Sequence, residues 1–206
     1  MKDNPTRIYF VRHGKTAQTG TILYGHNKGI VLDAEGIEQA EKTGDYLSKV
    51  KLDKIYSSPL ERAFETAEKI AFHHDLEVEV IDDLIDTDCG IWTGRTLIDV
   101  AKEKDWEIVQ KTPSKYKFEG GESFQDLFVR MNREIEQIVQ NNRGKNIAVV
   151  SHRDPIIMLV SYYLGMPMDD FQKIPCAPAS VTIVNFNGKN IDVKGIGILP
   201  ASRIVE

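Results

Sequence analysis

Arg7-Ile8-Tyr9-Phe10-Val11-Arg12-His13-Gly14 is the stretch from which the fold can be read. Its centre is a near-continuous apolar run, rich in aromatic and β-branched residues, that stops at a charged residue, a histidine and a glycine. A run of this length suits a strand buried on both faces. A second run of the same kind, Asn146-Ile147-Ala148-Val149-Val150, stops at Ser151-His152-Arg153-Asp154-Pro155. Both predicted strands therefore end in a histidine.

Helical patterns lie between and after them. Ala34 to Val50 places Ile37, Ala40, Gly44 and Leu47 along one face, with Asp33 as a cap. Lys54–Ser57 reads as a short strand, and Pro59 suits the first position of a helix through about Ala71. Glu77–Ile81 reads as a further strand. Helices are expected over Thr96–Lys104 and over Ser123–Asn141, the latter with Phe124, Leu127, Phe128, Met131, Ile135 and Ile138 at helical spacing. Pro155 is expected to open a helix through Leu164, and strands near Val181–Phe186 and Ile191–Ile198 follow. Strands alternating with helices predict an α/β fold, a three-layer α/β/α sandwich with a mostly parallel central sheet. The chain reads as a single domain over residues 1–206, with no internal repeat and no linker.

Composition narrows the function classes. The 206 residues are 41% apolar, enough for one substantial core. The formal charge of -5 argues against nucleic acid or an anionic membrane as partner, so an anionic ligand needs a local basic pocket. The polar start, Met1 to Thr6, and the lack of a long apolar run predict no signal peptide and no membrane span, hence a cytoplasmic location. Cys89 and Cys176 show no metal or disulfide spacing and read as free thiols. His26 and His73-His74 show no metal-ligand spacing and read as surface or packing residues, and Trp92 and Trp106 as packing anchors. A homodimer is compatible with the sequence.

In open α/β sheets, ligands bind beyond the carboxyl ends of the strands. Both strand-end histidines fall at that edge, as does Ser57-Ser58, which precedes a helix carrying Arg62. One site built from distant segments is expected there.

Val11-Arg12-His13-Gly14-Lys15-Thr16 resembles the Arg-His-Gly signature of the histidine phosphatase (phosphoglycerate-mutase-like) superfamily. Ser57-Ser58-Pro59-Leu60-Glu61-Arg62-Ala63, running on to Thr66-Ala67, resembles its second arginine motif, and Val150-Ser151-His152 its second histidine. Gly120-Gly121-Glu122-Ser123 is similar to its Gly-Glu-Ser helix start. Leu84-Ile85-Asp86, with Gly90, Trp92 and Gly94, is similar to its acid-bearing loop. The five matches stand in family order.

The chemistry explains why these residue types belong together. A phosphomonoester dianion must be neutralised before a nucleophile approaches, and the planar guanidiniums of Arg12 and Arg62 pair bidentately with phosphate oxygens. An unprotonated His13 attacking in line splits one hard step into two easier ones. The resemblance implies that His152 stabilises the transferring phosphoryl group and that a carboxylate protonates the leaving alkoxide. The family's glutamate position is Asp86 here, and Asp88 is the rival donor. Lys15, Thr19, Glu122 and Arg153 are further candidates for substrate contact, with Glu122 equally readable as a first-turn helix carboxylate. Thr19 stands where the family often has asparagine, and Arg153-Asp154 where it often has two glycines; Arg153 and Lys15 would favour substrates with a second negative group. Neither a metal nor another cofactor is required. Residues 95–119 are expected to cap the site and set specificity.

The expected function is hydrolysis of a small anionic phosphorylated metabolite through a phosphohistidine. The alternatives are a phosphoglycerate-type mutase, a phosphoprotein phosphatase and, in a different class, a non-catalytic phospholigand-binding protein. The short segment from Arg95 to Glu119 favours a phosphatase over a mutase.

Overall fold

In the computed structural model, which describes residues 4–200, the opening run becomes β1 (Thr6–Arg12). Met1–Asp3, part of the polar start, lie outside the described residues. β1 pairs in parallel with β4 (Asn146–Ser151) and antiparallel with β5 (Val181–Asn187). With β2 (Lys54–Ser57), β3 (Val78–Val80) and β6 (Asn190–Ile198), the sheet order is β3-β2-β4-β1-β5-β6. The four strands from β3 to β1 are parallel, as expected from their helical crossovers. β5 and β6 form an antiparallel hairpin, because only a tight turn at Gly188 joins them and no crossover fits there.

The two-sided burial expected of β1 is observed: Ile8, Phe10 and Val11 are fully buried and Tyr9 nearly so. Alternate side chains serve different layers. Tyr9, Val11, Ile55, Ala148 and Val150 pack with α1 (Ala34–Leu47) and α2 (Glu61–Ala71). Ile8, Phe10, Ile147 and Val149 pack against α5 (Phe124–Asn141) and α6 (Arg153–Tyr163) on the other face. The result is the three-layer sandwich.

Local chemistry sets the helix ends. The Asp33 carboxylate accepts the Gly36 N–H at 2.7 Å and starts α1. Ser123 and Asp126 form a reciprocal capping box that starts α5. α2 begins at Glu61, later than the sequence suggested, because Leu60 is extended and serves as the N-cap. α6 begins at Arg153, two residues before Pro155, whose missing N–H is harmless in a first turn. The helix expected over Thr96–Lys104 is instead one turn, α3 (Leu97–Val100), followed by α4 (Trp106–Lys111). Val100 and Val109 are the buried points of this segment, and the charged residues between them have no apolar face to hold a helix together. Among the described residues, no helix is long and apolar enough to cross a membrane.

One close approach locks α1 against the end of β1. The Asp33 N–H donates to the Lys15 carbonyl at 3.1 Å. A Cβ on Gly36 would lie 1.9 Å from that same carbonyl oxygen. Gly36→Ala is therefore expected to cost about 1–3 kcal/mol. Thermal melts should show a drop of roughly 3–10 °C for a chain of this size. An unchanged melt would mean that this contact does not brace the turn after β1.

Candidate active site

The carboxyl ends of three adjacent strands bring the motifs together. Arg12 is level with Ser151 and Ser57 with Val150 in the parallel register. His13 N–H donates to the Ser151 carbonyl and Ser58 N–H to the Val150 carbonyl, each at 3.0 Å. His13, Ser58 and His152 are thereby fixed side by side, and the two imidazole rings lie 5.2 Å apart.

His13 is 3% exposed. Its Nδ1 lies 2.7 Å from the Gly14 carbonyl oxygen, which can only accept, so Nδ1 carries the proton and Nε2 keeps its lone pair. Burial pushes its pKa well below the usual histidine value, and His152, Arg62 and Arg12 push it further. The turn is held on both sides: Gly14 N–H donates to Thr66 Oγ1 at 3.0 Å, and Ala179 N–H to the His13 carbonyl at 3.1 Å. Ala179 takes a left-handed backbone, φ 55°, to reach that carbonyl.

His152 is fully buried, and burial, then Arg62, hold its pKa well below the usual value. Its Nε2 lies 2.7 Å from Ser58 Oγ. That hydroxyl also accepts from the Leu60 N–H at 3.3 Å. His152 Nδ1 has no hydrogen-bond partner and faces Asp86 Oδ2 at 3.5 Å.

Arg62 is also fully buried. Its Nη2 donates to Asp86 Oδ2 at 3.0 Å and to the Gly25 carbonyl at 3.1 Å, and its Nη1 to the Asn27 carbonyl at 3.3 Å. The guanidinium lies 5.1 Å from the centre of the Tyr24 ring. Arg12 is partly buried, and its Nη1 donates to the Cys176 carbonyl at 2.7 Å. The Nε atoms of both arginines are buried without a partner.

Beside these groups lies a cavity of about 440 Å³. Arg12, His13, Thr19, Asp86, Arg153 and Asp154 line it, while Arg62 and His152 are fully buried and outside the lining. The outer wall is apolar and includes Ile22, Leu23 and Trp92 together with Leu97, Trp106, Val109 and Phe118 from the 95–119 segment. The indoles of Trp92 and Trp106, 6.3 Å apart, both face this space as well as the core beneath.

Two of the expected contact residues lie elsewhere. Lys15 is ion-paired with Glu35 at the surface and does not line the cavity. Glu122 precedes α5 rather than sitting in its first turn. It accepts the Asp88 N–H at 2.9 Å and binds the guanidinium of Arg130. Asp88 is also outside the lining, its carboxylate accepting the Gly90 N–H at 3.0 Å. Thr19 lines the cavity, with its Oγ1 accepting the Thr16 N–H.

Arg130 was not singled out from the sequence. Its guanidinium donates to the carbonyls of Asp83, Ile85 and Asp86 at 2.7–3.0 Å and clamps the loop that carries Asp86. His26 adds a contact from its Nε2 to the Asp86 carbonyl at 2.8 Å. Arg130 sits one position from the apolar stripe of α5, where a charged residue has no sequence signal beyond an ordinary helix surface.

Residues 8–198 match the histidine phosphatase superfamily (branch 1). The chain belongs to that superfamily. Phosphoserine phosphatase 1 of Hydrogenobacter thermophilus is 30% identical over 184 residues, covering 87% of this chain and 86% of that protein. The adenosylcobalamin/α-ribazole phosphatase of Escherichia coli is 31% identical over 172 residues, covering 79% of this chain and 81% of the relative. The solved structure of Bacillus stearothermophilus YhfR superposes with a TM-score of 0.87 at 26% identity, covering 93% of this chain and 96% of that one. Some mycobacterial relatives are longer: the chain spans 51% of a bifunctional protein of Mycobacterium tuberculosis. Among the described residues, this superfamily member has no cluster of three or more His, Cys, Asp or Glu that would hold a metal ion.

Proposed function

We propose that the chain hydrolyses a small phosphorylated metabolite, passing the phosphoryl group first to His13 Nε2 and then to water. The observation that carries this reading is a buried imidazole with its Nε2 lone pair free, beside two arginines and a second buried imidazole whose Nδ1 has no partner. The arginines neutralise the phosphoryl oxygens and His152 donates to the charge that builds on them in the transition state. His13 Nε2 forms a bond to phosphorus as the ester P–O bond breaks, and the alkoxide takes a proton from a cavity carboxyl group. Water then attacks phosphorus, the N–P bond breaks, and inorganic phosphate leaves. Both relatives described above carry phosphatase names, which supports a hydrolytic outcome. The 95–119 segment walls the cavity and, in this reading, selects the leaving group. The buried free thiols Cys89 and Cys176 suit a cytoplasmic location.

Turnover of p-nitrophenyl phosphate in the presence of a chelator tests the proposal. Only neutral His13 can attack, and its pKa lies well below the usual value of about 6.5. Turnover is therefore expected to persist on acidification to about pH 5, where an ordinary histidine is already protonated. Loss of turnover in chelator would overturn the metal-independent scheme. A fall between neutral pH and about pH 6 would show that His13 titrates as an exposed histidine does.

A further inference from the structure

The apolar wall of the cavity is assembled from two stretches of chain. Ile22 and Leu23 come from the loop after β1, and Leu97, Trp106, Val109 and Phe118 from the 95–119 segment. Backbone hydrogen bonds tie the two together. Leu23 N–H donates to the Arg95 carbonyl at 3.0 Å, Gly94 N–H to the Leu23 carbonyl at 2.7 Å and Leu97 N–H to the Thr21 carbonyl at 2.8 Å. Trp92, also in the lining, packs on Trp106 and edge-on to Phe118, with ring centres 5.5 Å apart in the second pair. The wall is therefore built before any ligand arrives. A phosphoryl group at Arg12 and His13 fills only part of the cavity, which leaves the apolar wall to the alcohol portion of the ester.

The charges of the lining point the same way. Among the described residues, Arg12 and Arg153 are its only arginines, and it holds no lysine. Arg12, with Arg62, is taken by the phosphoryl group. Arg153 is already matched, its Nη1 donating to Asp154 Oδ1 at 2.7 Å and its Nη2 to the Gln172 carbonyl at 3.0 Å. The Gln172 amide donates in turn to the Val109 carbonyl at 3.1 Å, which fixes this pair against the apolar wall. Thr19, Gln110 and Gln172 add neutral polar groups. A second anionic group on the ester would meet Asp86 and Asp154 with no cation left over, and an unpaired charge is costly to desolvate.

We propose that the substrate is the phosphomonoester of an uncharged, largely apolar alcohol, with an aromatic or branched hydrocarbon body that lies against Trp106 and Leu97. The inference rests on the hydrolytic reading above and names the class of alcohol released. Esters whose alcohol carries a carboxylate are poor substrates in this scheme.

The test uses three primary alkyl monophosphates that share a propyl chain and end in a phenyl ring, a hydrogen or a carboxylate. Their leaving groups have similar basicity, so differences in kcat/KM report contacts beyond the phosphoryl group. Wild type is expected to prefer the phenyl ester to the propyl ester by about 10–100-fold, the range for burying one large apolar group. The carboxylate ester should fall below the propyl ester by about 10-fold or more. Trp106→Ala should close the phenyl-to-propyl ratio to within a few-fold, and Trp106→Phe should keep part of it. Asp154→Asn removes the counter-charge of Arg153 and should raise the carboxylate-to-propyl ratio several-fold. Equal rates on the three esters, or a preference for the carboxylate ester, would overturn the proposal from wild type alone, whether or not a variant folds. So would a folded W106A that keeps the full phenyl preference, or turnover of p-nitrophenyl phosphate with none of the three alkyl esters. A wild type inactive on all four compounds would instead bring down the hydrolytic reading itself.

Discussion

His13→Ala is expected to lower kcat by about 10⁴-fold or more, since removal of a nucleophile leaves only binding and charge stabilisation. The variant should still fold, because the strand end is held by backbone contacts, from His13 N–H to Ser151 and from Ala179 N–H to the His13 carbonyl. It should also still bind phosphate, because Arg12, Arg62 and His152 remain. The decisive readout is covalent. Wild type mixed with labelled substrate and quenched in alkali, where a phosphoramidate survives, should carry label on His13, and the alanine variant should carry none. Label retained in the variant would place the nucleophile elsewhere, with His152 as the first candidate.

Arg62→Ala should damage both activity and stability, because one side chain serves both. Its guanidinium binds Asp86 and the carbonyls of Gly25 and Asn27 and packs on Tyr24, all without solvent exposure. Removing it leaves the Asp86 carboxylate without its buried partner, a loss of about 3 kcal/mol, or roughly 6–12 °C in a thermal melt. Losing one charged contact to the transition state should lower kcat/KM by about 10²–10³-fold. Arg62→Lys should rescue little, because a single ammonium cannot reach three acceptors at once. The double variant Arg62→Ala/Asp86→Ala should regain part of the stability but none of the activity. If R62A shifted the melt and left kcat/KM intact, Arg62 would be a structural residue only.

Much of this site could be read along the chain because its parts sit at strand ends. A strand with no polar face, such as Ile8 to Val11, has to be central in a sheet. Two such strands in one α/β chain put their terminal residues at the same edge, so the proximity of His13 and His152 follows from pattern and topology. Ser58 and Arg62 join them because β2 is the parallel neighbour of β4.

Side-chain pairing was another matter. Lys15 and Glu122 belong to the right motifs, yet Lys15 turns to Glu35 and Glu122 to the Asp88 amide and Arg130. Nothing in residue type tells a carboxylate that binds a loop amide from one that faces a ligand. Arg130 was invisible for the converse reason, since its role is set by three carbonyls from a loop more than forty residues away.

By itself, the sequence determined the α/β sandwich, its main strand–helix order and the edge at which the histidines and arginines gather. These depend on hydrophobic periodicity and turn chemistry, which are local properties of the chain. Only the tertiary structure decided which nitrogen of each histidine lacks a partner, that Asp86 is held by Arg62 and the Thr87 amide, and that Asp154 joins the cavity wall. Those outcomes depend on hydrogen bonds between segments distant in sequence, whose lengths and directions exist only once the layers have packed.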